Sequence, residues 1–418
     1  MTPYQRFVAA SGLTNLADGV AVVAWAWLAS LLTRDAVLVA LVAVALRLPW
    51  FVLALPAGIV TDRVDRRRLI VAMDGLRAGA FLMAAAAIWL ATPLTVAPAT
   101  GISTPWLYAV IVVAALLVGG AEVFRDNAAQ TMLPALVPDA ELERANGRLW
   151  SVEMVGNSLV GPAVGAFLIA AMVALPFALN AVAYALAIVL VAGIAGQFRP
   201  AQAITRDWRA ELAAGFAFLR GAPLLRTMAV TTGFWNLFHQ MVAIALVLHA
   251  QENLGLGAQA YGLVLASGAV GGIAGSLIGP WVAARLGRAR TMQWMLAASA
   301  PAFIAMAVAP GAVMLGVAFM LFELSGLIWN IVSVSTRQRL IPDAILGRVN
   351  SIYRLLAWGM MPVGLLASGL IVRMATGPLP REVALVLPFW VAAAGFVALT
   401  ICAWRPIGRG FAALQEKV

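Results

Sequence analysis

The chain has 418 residues, 63% of them hydrophobic and 11% charged, with a formal net charge of +10. A soluble domain is nearer half apolar and a quarter charged, and no core of this size buries the excess, so a soluble enzyme is excluded. The only lysine is Lys417, which excludes a GxxxxGK[ST] phosphate loop and lysine Schiff-base chemistry. Two histidines, His239 and His249, and one cysteine, Cys402, leave no intrachain disulfide and no His/Cys zinc site.

The apolar residues come in blocks of about 20, the length of a membrane helix. In chain order, twelve such spans are predicted at 7–32, 36–60, 69–91, 106–132, 146–172, 175–196, 226–250, 258–284, 291–308, 311–336, 346–373 and 383–404. The first is too long for a cleavable signal peptide and lacks a small-residue cleavage pattern, so it reads as a span. The expectation is an all-α membrane protein with no metal and no cofactor.

Arginine sets the orientation. With the N-terminus in the cytoplasm, only Arg34, Arg373 and Arg381 fall in outer loops, while Arg47, Arg77 and Arg125 lie inside spans. The remaining arginines and Lys417 all fall on the inner side. Both termini are thus expected in the cytoplasm, and the positive charge needs no nucleic-acid partner to explain it. The inner segment 197–225 carries Trp208, Leu212, Phe216 and Leu219 on one helical stripe, which suits an amphipathic helix at the membrane surface. It divides the chain into a first bundle (1–196), a linker (197–225) and a second bundle (226–418).

The two halves resemble each other. LVPDAELERANG at 136–147 and LIPDAILGRVNS at 340–351 share Leu136/Leu340, Pro138/Pro342, Asp139/Asp343, Ala140/Ala344, Leu142/Leu346, Arg144/Arg348 and Asn146/Asn350 at a fixed offset. A second pair is GIVTDRVDRRR at 58–68 and PWVAARLGRAR at 280–290, where Arg63, Arg66 and Arg68 align with Arg285, Arg288 and Arg290. Six plus six spans in parallel repeat is a transporter architecture.

These motifs resemble the major facilitator superfamily. Gly58, Asp62, Arg63, Arg66, Arg67 and Arg68 match its inner-loop signature G-x-x-x-D-R-x-G-R-[RK]-[RK], with Asp65 in place of the second glycine. Gly161, Pro162 and Gly165 match the antiporter signature G-x-x-x-G-P-x-x-G-G of the fifth span, from which Asn157 and Ala166 depart. The repeated LVPDAELERANG phrase is similar to a bacterial efflux branch that includes the enterobactin exporter and macrolide-efflux proteins. The resemblance implies twelve helices in two six-helix repeats and a central cavity lined by spans one, four, seven and ten. It also implies that the inner-loop residues Gly58, Asp62, Arg63, Arg66 and Arg67 gate the cycle.

Charges inside hydrocarbon are costly and face a cavity or a partner. The polar residues at mid-depth are Ser11, Asn15 and Asp18 in span one, and Glu122, Arg125 and Asp126 in span four. Span seven has Asn236, His239 and Gln240, and span ten has Glu323 and Asn330. Acids in a low-dielectric site, and histidine without help, exchange protons near neutral pH, so Asp18, Glu122, His239 and Glu323 are candidate proton carriers. The competing reading is structural pairing: Glu122 with Arg125, Asp18 with Arg47, and Asp74 with Arg77 as a local pair outside the transport pathway. Asp126 is a candidate partner for Arg66 at the inner end. Gly58 is expected to let helix ends approach closely, and Gly161, Pro162 and Gly165 to allow close packing and a bend.

The expected function is a monomeric, proton-driven exporter in the bacterial cytoplasmic membrane, in contact with lipid, protons and a small-molecule substrate. Its acids suit amphipathic or cationic compounds such as antibiotics. A siderophore exporter, received by Arg47 and Arg125, and a lysophospholipid flippase are the rival readings.

Overall fold

Inside lipid every backbone N–H and C=O must find a partner within the protein, which leaves helices or a closed barrel. The computed structural model describes residues 1–61, 63–138, 141–199, 208–341, 349, 352–353 and 355–415. Those residues are helical almost throughout; their one β feature is an isolated bridge between Thr376 and Leu379.

The helices are α1 (Pro3–Leu32), α2 (Ala36–Thr61), α3 (Arg66–Ala91), α4 (Pro105–Met132), α5 (Leu142–Glu153), α6 (Gly161–Ala171) and α7 (Leu175–Ala192). After them come α8 (Trp208–Gly221), α9 (Pro223–Leu248), α10 (Ala258–Leu286), α11 (Arg288–Ala307), α12 (Ala312–Leu340), α13 (Met361–Ala375) and α14 (Arg381–Gln415). Among the described residues, 11 helical stretches are long and apolar enough to cross a membrane. The twelfth span is α11, whose 20 residues reach across but begin with Arg288, Arg290 and Gln293, which lower its mean hydropathy. Leu82, Leu277, Val313 and Ile401 are exposed, an apolar surface that suits lipid and not water. The protein is a multi-pass, twelve-helix membrane protein.

The chain divides into two units, Met1–Ile204 with Gly257–Ala266, and Thr205–Leu256 with Ser267–Val418. In the first unit α3 packs on α4 and α7, α2 on α4, and α1 on α6 and α7. In the second, α9 packs on α13 and α14, and α11 on α12 and α14.

Small residues set these contacts. A Cβ on Gly161 would strike the Gly19 backbone, and one on Gly165 would strike the Val20 backbone, so α6 lies directly on α1. Between α5 and α6 the helix widens into a π turn, Met154–Val160, and Gly156 in that turn also packs on α1. Pro162 occupies an early position of α6, where its missing N–H costs little. In the second unit Gly268, Gly271 and Gly275 of α10 perform the same service against Phe319, Met320 and Leu324 of α12.

The linker does form a helix, α8, in which Leu219 is buried and Phe216 is exposed. The side chains of Trp208 and Leu212 lie outside the described residues, as do Lys417, Asp139, Ala140 and the repeat residues Pro342–Arg348, Asn350 and Ser351. In the first copy, Leu136 and Val137 pack on the inner core around Ile70 and Met132, and Asn146 donates to the Leu142 carbonyl at 2.9 Å.

Candidate functional site

The inner loop is built around Asp65. Its carboxylate accepts from the Arg68 backbone N–H at 3.0 Å as the N-cap of α3, and from Phe198 N–H at 3.2 Å. Slight burial opposes ionisation, but those two hydrogen bonds and the charges of Arg67 and Arg68 outweigh it and hold the carboxyl below its usual range. Asp65 thus has a job of its own: it starts a helix. Arg66 donates to the Thr131 carbonyl at 2.9 Å, at the end of α4, and Arg67 to the Ile194 carbonyl at 2.6 Å, just past α7. Arg6 joins the latter end by bonding the Gly193 carbonyl. The arginines place positive charge at the negative ends of two helices.

Two expectations are corrected at this loop. Asp126 contacts Arg125 at 3.4 Å instead of Arg66, because Arg66 is held by the Thr131 carbonyl. A Cβ on Gly58 would meet nothing within 4 Å among the described residues, so no close approach explains that glycine. Arg63 is exposed, and Asp62 lies outside the described residues.

Deeper in the first unit, side chains from α1, α3, α4 and α7 meet. Arg77, fully buried, pairs with Asp18, and the Tyr184 hydroxyl donates to the same carboxylate oxygen at 2.6 Å. The Arg77 guanidinium sits 4.3 Å from the centre of the Tyr184 ring, which stacks on Phe81. Asn180, one turn before Tyr184 on α7, bonds the Ala17 carbonyl at 2.8 Å and fixes α7 against α1. Trp25 packs between Phe81 and Phe177, a core role and not a stacking platform.

Arg125 reaches three ways. It donates to Thr14 Oγ1 at 2.9 Å, lies 3.6 Å from Asp74 and 3.4 Å from Asp126. Asp74 is fully buried, and among the described residues neither of its carboxylate oxygens has a hydrogen-bond partner. Glu122 makes no hydrogen bond or ion pair among the described residues, though Asp18, Arg77 and Arg47 all act on it electrostatically. Asn15 turns back to Ser11, bonding its carbonyl at 2.9 Å and its hydroxyl at 3.2 Å.

All three pairings expected here are therefore exchanged. Asp18 takes Arg77 instead of Arg47, which is exposed on α2. Arg125 takes Asp74, Asp126 and Thr14 instead of Glu122. Asp74 and Arg77, three apart on α3, face different neighbours. Same-helix spacing suggested Glu122–Arg125 and Asp74–Arg77, but packing brought Arg125 to Asp74 and Thr14, and Arg77 to Asp18, across helices. The spacing of Asp74 and Arg77 within an apolar helix was a usable signal; a lone Tyr184 in an apolar span was not.

The second unit holds a smaller site. His239 Nε2 lies 3.1 Å from Glu323 Oε1, each side chain about a quarter exposed at 24% and 25%. Trp235 stacks on Phe322 and meets His239 edge-on, which fixes the imidazole. Asn236 is buried and bonds the Ala357 carbonyl at 2.9 Å, a helix-to-helix tie. Asn330 is exposed, seven residues along α12 from Glu323. A polar knot that the sequence did not reveal joins Thr232, Ser333 and Tyr353, whose hydroxyl lies 2.7 Å from Thr232 and 3.0 Å from Ser333.

A family model described as "Transmembrane secretion effector" matches residues 3–404. The chain belongs to this family of major facilitator transporters. Solved structures agree on the fold. A bacterial homologue of the iron transporter ferroportin in an inward-facing state is similar at TM-score 0.74 and 18% identity, over 97% of this chain and 98% of that one. The nucleoside transporter NupG is similar at TM-score 0.73 and 13% identity, over 97% and 99%. A D-xylose–proton symporter is similar at TM-score 0.71 and 14% identity, over 96% and 97%. No curated protein matches the sequence. The secretion effector family has the major facilitator fold expected from the inner-loop and fifth-span motifs.

Proposed function

We propose that this transporter is a proton-coupled secondary exporter of amphipathic small molecules, working by alternating access in the bacterial cytoplasmic membrane with both termini inside. The observation that carries the reading is a charge imbalance at membrane depth. Among the described residues, the four acids Asp18, Asp74, Glu122 and Asp126 face Arg77 and Arg125, with the exposed Arg47 as a third cation acting on Glu122. Unpaired carboxylates are costly there and are retained where protons or cations use them. In the second unit, Glu323 lies with its Oε1 3.1 Å from His239 Nε2 and adds a further acid at membrane depth. The family description, a secretion effector, favours export.

The acid excess favours cationic amphipaths, the drug-efflux reading, over an anionic siderophore. Arg125 is already engaged by two acids and Thr14, which leaves the exposed Arg47 as the remaining cation for an anion. A lysophospholipid flippase is the remaining rival.

The test is reconstitution into vesicles loaded with a pH-sensitive dye. Cationic drugs, macrolides and siderophores are added in turn under an imposed proton gradient. Proton movement triggered by cationic drugs, and lost in His239→Gln or Glu323→Gln, is the expected result. Folded protein that moves no protons with any of these compounds would sink the antiporter reading and advance the flippase.

A further inference from the structure

We infer that Asp74 is the proton-binding carboxyl of the first unit, with Arg125 as the cation that holds it when ionised and turns to Asp126 and Thr14 when it is protonated. The inference rests on the proton-coupled reading above and names its site.

Asp18, the more obvious acid from the sequence, is already satisfied. One of its oxygens takes both Arg77 and the Tyr184 hydroxyl, and the Arg77 guanidinium is further held over the Tyr184 ring. Removing that charge by protonation would strand a fully buried arginine, so Asp18 serves as a fixed counter-ion. Asp74 is the opposite case. It is completely buried, and among the described residues neither oxygen accepts a hydrogen bond and the nearest cation stands off at 3.6 Å. An ionised carboxylate in such a place lacks the hydrogen bonds that normally offset its desolvation.

The groups facing Asp74 fit an exchange. On α4 they are Arg125 and Asp126; on α1, Asp18; on α3 itself, Arg77; the one titratable group of α7, Tyr184, is bound to Asp18. Arg77 is committed to Asp18, so Arg125 is the cation left to respond. It already touches both competitors, at 3.6 Å and 3.4 Å, and Asp126 is about a third exposed (34%) while Asp74 is not exposed at all. A proton from water adds to a carboxylate oxygen of Asp74, and Arg125 keeps its own charge and shifts towards Asp126 and Thr14. Loss of the proton returns it. The O–H of Asp74 forms as one O–H bond of a hydronium ion breaks and leaves water; release reverses both, and no other group of the protein changes its covalent state.

Infrared difference spectroscopy between acid and alkaline pH, on the purified full-length protein, reads this without a substrate. The C=O stretch of a protonated carboxylic acid should appear on acidification and move in heavy water. Asp74→Asn should remove that component, Asp74→Glu should keep it at a shifted frequency, and Asp18→Asn should leave it in place. A spectrum unchanged in both Asp74 variants would overturn the proposal, as would a component that follows Glu122→Gln or Asp126→Asn instead. The Glu variant keeps the charge and covers the case in which the Asn variant fails to fold. If the infrared component belongs to Asp74 but vesicles show no substrate-triggered proton movement, the site stands and the antiport reading falls. If vesicles show proton movement while the component ignores Asp74, antiport stands and this site falls.

Discussion

Tyr184 and Arg77 share one oxygen of Asp18. The tyrosine donates at 2.6 Å from α7, the arginine approaches from α3, and the carboxylate stands on α1. Three helices are thus tied at one atom, where the Arg77 side chain is 1% exposed and that of Asp18 20%. Arg77 gains a second hold from the Tyr184 ring at 4.3 Å. The contact behaves as a structural pin, and its removal should register as stability before it registers as transport.

Tyr184→Phe keeps the ring and deletes the donor. It should cost about 1.5–3 kcal/mol, the range for a hydrogen bond to a charged group. Arg77→Met should cost more, about 3–5 kcal/mol, because it leaves a carboxylate without its cation. The double variant Asp18→Asn with Arg77→Met should recover part of that loss. Thermal unfolding of the detergent-purified protein measures all three, and a double variant no better than Arg77→Met would refute the pin.

Close packing of α6 on α1 makes Gly161 and Gly165 intolerant of side chains. Gly161→Val should destabilise by about 1–3 kcal/mol through overpacking. Gly58, with open space around its missing Cβ, should accept alanine with no loss, and in a helix a gain of up to about 1 kcal/mol is expected. Melting temperatures of the two variants should therefore move apart.

Asp65 contributes through its cap, so Asp65→Ala should cost about 1 kcal/mol. The pH dependence follows from the direction of its shift. The folded carboxyl lies below its ordinary value, so its contribution is complete above about pH 4 and fades as pH falls through the folded pKa. Wild type and variant should differ at neutral pH and converge in acid. A gap that stays constant down to strongly acid pH contradicts the charged cap.

His239 and Glu323 are each about a quarter exposed, so their contact should carry only about 0–1 kcal/mol of stability. His239→Gln and Glu323→Gln should fold with nearly unchanged melting temperatures. Both should lose substrate-triggered proton movement in vesicles. Normal proton movement in both would remove this pair from the coupling pathway.

The spans were legible because hydrocarbon thickness and backbone satisfaction leave a strong, local signal in composition. Even α11, whose first turns carry Arg288, Arg290 and Gln293, was read as a span from its apolar run at 291–308. Gly161, Pro162 and Gly165 were legible as packing residues because a small side chain at a helix contact has few other uses. Asp65 was visible only as a departure from a motif; the span was expected from 69, and the cap emerged only because the helix starts at Arg66.

The sequence by itself determined which residues are ionisable at membrane depth, how many helices carry them and which helices those are. A charge in an apolar run stands out without any coordinates. Only the tertiary structure decided how they pair. Asp18 passed over Arg47 for Arg77, Arg125 passed over Glu122 for Asp74 and Asp126, and Tyr184 entered from a helix with no polar signature of its own. The physical reason is that a buried charge takes the partner that reaches it with the best geometry, and that partner is chosen by helix rotation and contact, which spacing along one helix does not encode.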